Sequence, residues 1–134
     1  MSDWRFKFTS SLVILILCAI PQLSAAVGLG AVKVSSYLNE PLNAQIALTG
    51  IKADELDNLR VRLADDASFE RAGLDRSYLL TQLKFSTQTL SNGRAYIQVS
   101  SRESIREPGL SLIVSLVSQT ASHERRYDLL LNLR

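Results

Sequence analysis

The 134-residue chain has little of what most site chemistry depends on: a single cysteine, a single histidine, three prolines and six glycines. One cysteine excludes an internal disulfide, and one histidine cannot build a multi-histidine metal centre. An excess of one charge is missing too, because 15 basic residues meet 13 acidic ones. The formal charge of +2 gives no support for a protein that holds nucleic acid through massed phosphate contacts. Long apolar runs are equally scarce. The uninterrupted run Leu12–Ile20 is about half of the ~20 residues that a membrane-spanning helix requires. With 46% apolar and 21% charged residues, the composition is that of one globular domain, not of a disordered, collagen-like or coiled-coil chain.

What is present begins with an address. Arg5 and Lys7 precede the apolar run, and Pro21, Gln22 and the small residues Ser24, Ala25 and Ala26 follow it. That order is a secretory signal peptide, with Ser24 and Ala26 suited to direct cleavage before Val27. The chain then divides into a signal, residues 1–26, and a domain, residues 27–134; an uncleaved N-terminal anchor is the alternative. Cys18 follows Leu17, where a lipoprotein signal would carry a small residue, so Cys18 reads as a hydrophobic filler. After cleavage the chain has no thiol, which suits an oxidising compartment, and no integral membrane segment.

The rest of the sequence is dominated by period two, the signature of half-buried strands. Leu29–Leu38 and Leu42–Thr49 form the first two, separated by the Asn39-Glu40-Pro41 turn, with Gly28 and Gly30 expected to leave the start loose. Ile51–Asn58 reads as a loop or single helical turn, and Leu59–Leu63 as a strand with Arg60 and Arg62 outward, a helix through Leu56, Leu59 and Leu63 being the alternative. Asp65–Gly73 is the one helix: an Asp caps its start, Gly73 stops it, and Phe69 and Ala72 pack it down. Leu80–Leu90 returns to alternation. Ser91-Asn92-Gly93 then turns the chain, since Asn and Gly tolerate the positive φ of tight hairpins, and Ala95, Ile97 and Val99 line one face of the returning strand. Ser100–Gly109 reads as a polar connection. Leu110–Gln119 is dense enough in apolar residues to be a central strand. After a turn at Thr120–His123, the segment Glu124–Arg134 alternates Tyr127, Leu129, Leu131 and Leu133 against polar neighbours. The fold class is therefore mainly β: an antiparallel immunoglobulin-like β-sandwich of about seven strands with one short helix.

No constellation for catalysis, cofactor or metal stands out. His123 lies at the expected loop tip, without the nucleophile, acid or further ligands a site would need. No Ser sits in a Gly-x-Ser-x-Gly elbow, and Asp65-Asp66 reads as helix capping. What remains is surface. Arg60, Arg62, Arg102, Arg106, Arg125 and Arg126 are the candidate partner contacts, since guanidinium groups fork onto carboxylates and are enriched at interfaces; solubility and protection of sheet edges is their blander role. Tyr37, Tyr78, Tyr96 and Tyr127 would serve a sugar- or cell-wall-binding domain if exposed, and the core if buried.

The string LGAVKVSSYLNEPLNAQIAL (Leu29–Leu48), then LRVRLADDASFERAGLDRSYLLTQLKF (Leu59–Phe85) and SRESIREP (Ser101–Pro108), resembles the N-terminal periplasmic domain of the FimV family of type IV pilus assembly proteins. The pieces occur in family order and cover nearly all of Leu29–Arg134. The resemblance implies a non-enzymatic periplasmic module without cofactor, whose partners are envelope proteins of pilus or secretion machinery. FimV-like proteins continue into a peptidoglycan-binding LysM module, a membrane helix and an acidic cytoplasmic part. None of these is in the present sequence, so peptidoglycan binding is not carried over, and the chain is either a free-standing domain or a piece of a longer protein.

Overall fold

A computed structural model describes residues 27–51, 53–119 and 121–133; the expected signal, with Cys18, lies outside the described residues. Seven strands run β1 (Gly28–Val34), β2 (Pro41–Thr49), β3 (Arg60–Leu63), β4 (Lys84–Thr89), β5 (Ala95–Ser104), β6 (Gly109–Val117) and β7 (Ser122–Leu130). Between β3 and β4 lie two short helices, α1 (Asp66–Ala72) and α2 (Tyr78–Thr81), and a 3-10 turn at Ala53–Asn58 precedes β3. One sheet has the order β1-β2-β5-β4 and the other β3-β6-β7, and every strand pair is antiparallel. The two sheets meet at their margins, β1 near β7 and β3 near β4. This is the expected sandwich.

The core lies between the sheets, and alternation builds it. Leu42, Ala44, Ile46 and Leu48 of β2 and Ala95, Ile97 and Val99 of β5 face Leu110, Leu112, Val114 and Leu116 of β6 and Tyr127 and Leu129 of β7, all buried. Each fully buried aliphatic side chain supplies roughly 1.5–3 kcal/mol of transfer free energy. Alternation turns Ile113 and Ser115 of β6 away from the opposite sheet, yet both are only 5% exposed. The Ser68 hydroxyl of α1 donates to Glu124 Oε1 at 2.9 Å, and Glu124 pairs with Ser115, so α1 lies over this outer face. Asp65 caps α1 by accepting the Ser68 N–H at 3.0 Å, and Gly73 stops it at φ 69°. Phe69 is buried as expected, while Ala72 is exposed and Ser68 takes its place on the packed side.

Several elements differ from the sequence reading, each for a local reason. Gly28 and Gly30 belong to β1 rather than to a loose end. A Cβ on Gly30 would stand 3.0 Å from the Ala47 carbonyl oxygen, so glycine permits strands to approach at a bulge between Leu29 and Val32. Strand β4 starts at Lys84 rather than Leu80, because Tyr78–Thr81 forms a helical turn. The polar residues from Ser100 to Ser104 stay in β5. Register slips there between Pro41 and Asn43, and the Leu42 N–H finds Ser101 Oγ at 2.8 Å, so a serine side chain replaces a ladder acceptor. His123 is not on a loop: it sits on β7 opposite Leu116. Leu133 is 71% exposed, past the end of β7, where inward alternation no longer applies.

Candidate interaction surface

The six arginines do not converge. Arg60 and Arg62 project from β3 into solvent, either side of the half-buried Val61. Arg62 pairs across to Ser115 and Ser115 to Glu124, which sets both β3 arginines on the same outer face as Arg126, opposite Ile113. The intervening β6 separates them. Arg126 is engaged locally, its Nε 3.2 Å from Asp128 Oδ1. The Ser111 hydroxyl donates to that same oxygen at 2.6 Å; this bond first, and Arg126 second, hold the Asp128 carboxyl below the usual range. Arg60 and Arg62, by contrast, form no hydrogen bond or ion pair with the described residues. Asp65, whose carboxyl feels Arg62, is held below the ordinary carboxylate range first by the Ser68 N–H, with Arg71 and Arg62 adding to the effect.

Arg125 faces the opposite way. Its Nη1 donates to the Leu29 carbonyl at 2.9 Å, and its guanidinium lies 5.1 Å over the Tyr127 ring. The Tyr127 hydroxyl in turn donates to the Gly30 carbonyl at 2.6 Å. Two side chains of β7 thereby occupy the carbonyls exposed where β1 bulges, closing that margin of the sandwich. Burial pushes the Tyr127 phenol above its ordinary value, with the nearby Arg125 charge opposing. Arg102 and Arg106 are exposed at the end of β5 and in the loop that follows. That loop is fixed by Ile105, which donates to Glu40 O at 3.0 Å and accepts from the Asn39 N–H at 2.8 Å.

At the other margin, between β3 and β4, lies a groove of about 420 Å³. Leu63, Leu80 and Leu83 floor it, Val61 and Phe85 wall it, and Arg62, Arg76 and Thr81 stand at its rim. Arg76 is braced there, donating from Nε to Ala64 O at 2.9 Å and lying 3.6 Å from Asp66. Nothing in the alternation marks this groove. Arg76 falls in an irregular connection, and the floor is assembled from a strand, a helical turn and the residue that leads into β4. Among the described residues no group of three or more His, Cys, Asp or Glu side chains could hold a metal ion, and no helix is long and apolar enough to cross a membrane.

The four tyrosines lie apart, three on β5, β7 and α2 and Tyr37 in the connection from β1 to β2. Tyr127 is buried, Tyr96 half-buried on the outer side of β5, and Tyr37 bridges to Asn132. Tyr78, on α2, is 77% exposed, so the four rings do not all belong to the core.

Residues 27–134 match the family model of the FimV N-terminal domain, an Ig-like domain. The chain is 34% identical over 110 residues to "Motility hub protein FimV" of Pseudomonas aeruginosa, in strains PAO1 and UCBPP-PA14 alike. The match covers 82% of this chain but 12% of each relative, so the chain spans only a small part of the proteins it resembles. No solved structure matches it significantly. The chain belongs to the FimV N-terminal domain family.

Proposed function

We propose that this domain is a periplasmic protein-interaction module that supports assembly of type IV pilus or secretion machinery and catalyses nothing. The observation that carries the reading is the family match across residues 27–134, together with the likeness to relatives named as a motility hub protein. The signal-like residues 1–26 and a thiol-free domain agree with export. Docking takes place through a sheet edge or an outer face, where Arg60, Arg62, Arg126, Arg102 and Arg106 set orientation and association rate more than affinity. Arg125, engaged by Leu29 and Tyr127, serves by fixing β1.

The test is affinity capture of the exported protein from envelope extracts of a piliated bacterium, followed by mass spectrometry. Recovery of pilus or secretion components is expected, and recovery of none refutes the assembly role. A sugar- or cell-wall-binding reading has one observation in its favour, the exposed ring of Tyr78. Co-sedimentation with purified cell-wall sacculi that Tyr78→Ala abolishes would establish it instead.

A further inference from the structure

The geometry points to the β3 edge as an acceptor for an extended acidic peptide of a partner protein, added as a further strand beside β3. This deepens the interaction-module reading and rests on it.

The register decides which backbone groups are on offer. Leu63 lies opposite Val114, and one step on, the Ala64 N–H donates to the Ile113 carbonyl at 2.9 Å. Bonded and non-bonded pairs alternate along an antiparallel ladder. Arg62–Ser115 and Arg60–Val117 are therefore the bonded pairs, and the N–H and C=O groups of Val61 and Leu63 point away from β6. Since β3 is the outermost strand of its sheet, those groups lie on the side no strand of that sheet pairs with, towards the groove before β4. The margin across the sandwich differs: there Arg125 and Tyr127 already occupy the carbonyls of β1.

A strand laid against β3 continues its pleat, so its side chains alternate between two environments. Those turned inward enter the groove of about 420 Å³ above the apolar side chains of Leu63, Leu83 and Phe85. Those turned outward lie beside Arg60 and Arg62, which form no ion pair with the described residues. The occupant is thus specified by charge and periodicity together: apolar residues alternating with Asp or Glu. Asp65 does not pre-empt the site, since its carboxylate accepts the Ser68 N–H.

An isotope-labelled sample of the exported protein would be titrated by NMR with a synthetic peptide of alternating valine and glutamate, and with a counterpart in which lysine replaces glutamate. The acidic peptide should shift the amides of Val61, Leu63 and Phe85, and the basic one should not. Charge reversal by Arg60→Glu with Arg62→Glu should weaken acidic-peptide binding by roughly tenfold, the sum of two modest ion pairs. Val61→Pro deletes an edge N–H that β6 does not use and should abolish binding, whereas Lys33→Glu, on the exposed side of β1 at the opposite margin, should leave it unchanged. Equal binding of the two peptides, shifts centred elsewhere, or no saturable shift at millimolar peptide overturns the proposal. If the β3 charge reversal still captures pilus or secretion components as well as wild type, the β3 site falls while the interaction module stands.

Discussion

Tyr127→Phe isolates a single bond at the closed margin of the sandwich. The ring, 4% exposed, keeps its packing, while the donor to the Gly30 carbonyl at 2.6 Å is lost. That carbonyl sits at the β1 bulge, where register slips and the ladder offers no substitute. Leaving a part-buried acceptor unpaired costs about 1–3 kcal/mol, a sizeable share of the roughly 5–15 kcal/mol that holds a typical domain together. At about 4–8 °C per kcal/mol for a domain of this order of size, the melting temperature should fall by about 4–24 °C, read by circular dichroism at neutral pH. A second reading comes from alkaline titration. The phenol is raised above its ordinary 10.0, so its stabilising contribution is complete below pH 10 and disappears as pH rises through the folded-state value. The gap between wild type and Phe variant should therefore narrow above about pH 10. A variant that melts with wild type at neutral pH, or a gap that stays constant into strong alkali, refutes this account of the margin.

Gly30→Ala should destabilise by about 1–3 kcal/mol, the usual cost of overpacking, because its Cβ would meet the Ala47 carbonyl oxygen at 3.0 Å; urea unfolding measures it. Phe69→Ala empties a position only 1% exposed and should cost about 3–5 kcal/mol, enough to show as a large drop in urea midpoint or in yield of folded protein. Asp65→Ala should lower the melting temperature and Asp65→Asn much less, since Asn caps nearly as well. Asp65 is held below its ordinary 3.8 chiefly by the Ser68 N–H, so its contribution is present above that pH and is lost as acid carries pH down through the folded-state value. The wild-type advantage over Asp65→Ala should close in that range and persist at neutrality.

Much of the architecture was legible because single residues announced it. In β2 each apolar residue from Leu42 to Leu48 alternates with a solvent-facing one, and the strand has one face in the core and one in water. Asp65 and Gly73 mark both ends of α1, and Gly93 adopts φ 83° at the hairpin. What stayed hidden depends on distant partners. Gly30 looks like a loosening residue until Ala47 is brought against it, and Ser101 looks like loop until its hydroxyl takes the Leu42 N–H. The arginines show the same limit. Alternation states that Arg60 and Arg62 face solvent, but only the assembled sheets show that Arg125 turns back onto Leu29 and that Arg76 reaches the β3–β4 groove.

The arginines on β3 have two physical roles open to them, and the choice of substitution separates the two. Charged side chains on an edge strand discourage pairing with another copy, and the same charges recruit an acidic strand. Reversal to Glu preserves the first role, because two like charges still flank the edge, but it inverts the second. Replacement by valine removes both and leaves a four-residue edge that is apolar throughout, beside the groove. If recognition is the role, the Glu pair stays monomeric by sedimentation and loses the acidic peptide in favour of its lysine counterpart. If edge protection alone accounts for the arginines, the Glu pair changes nothing, and only the valine pair self-associates. Sedimentation and peptide titration on the two double variants therefore assign the charge on β3 to one purpose or to both.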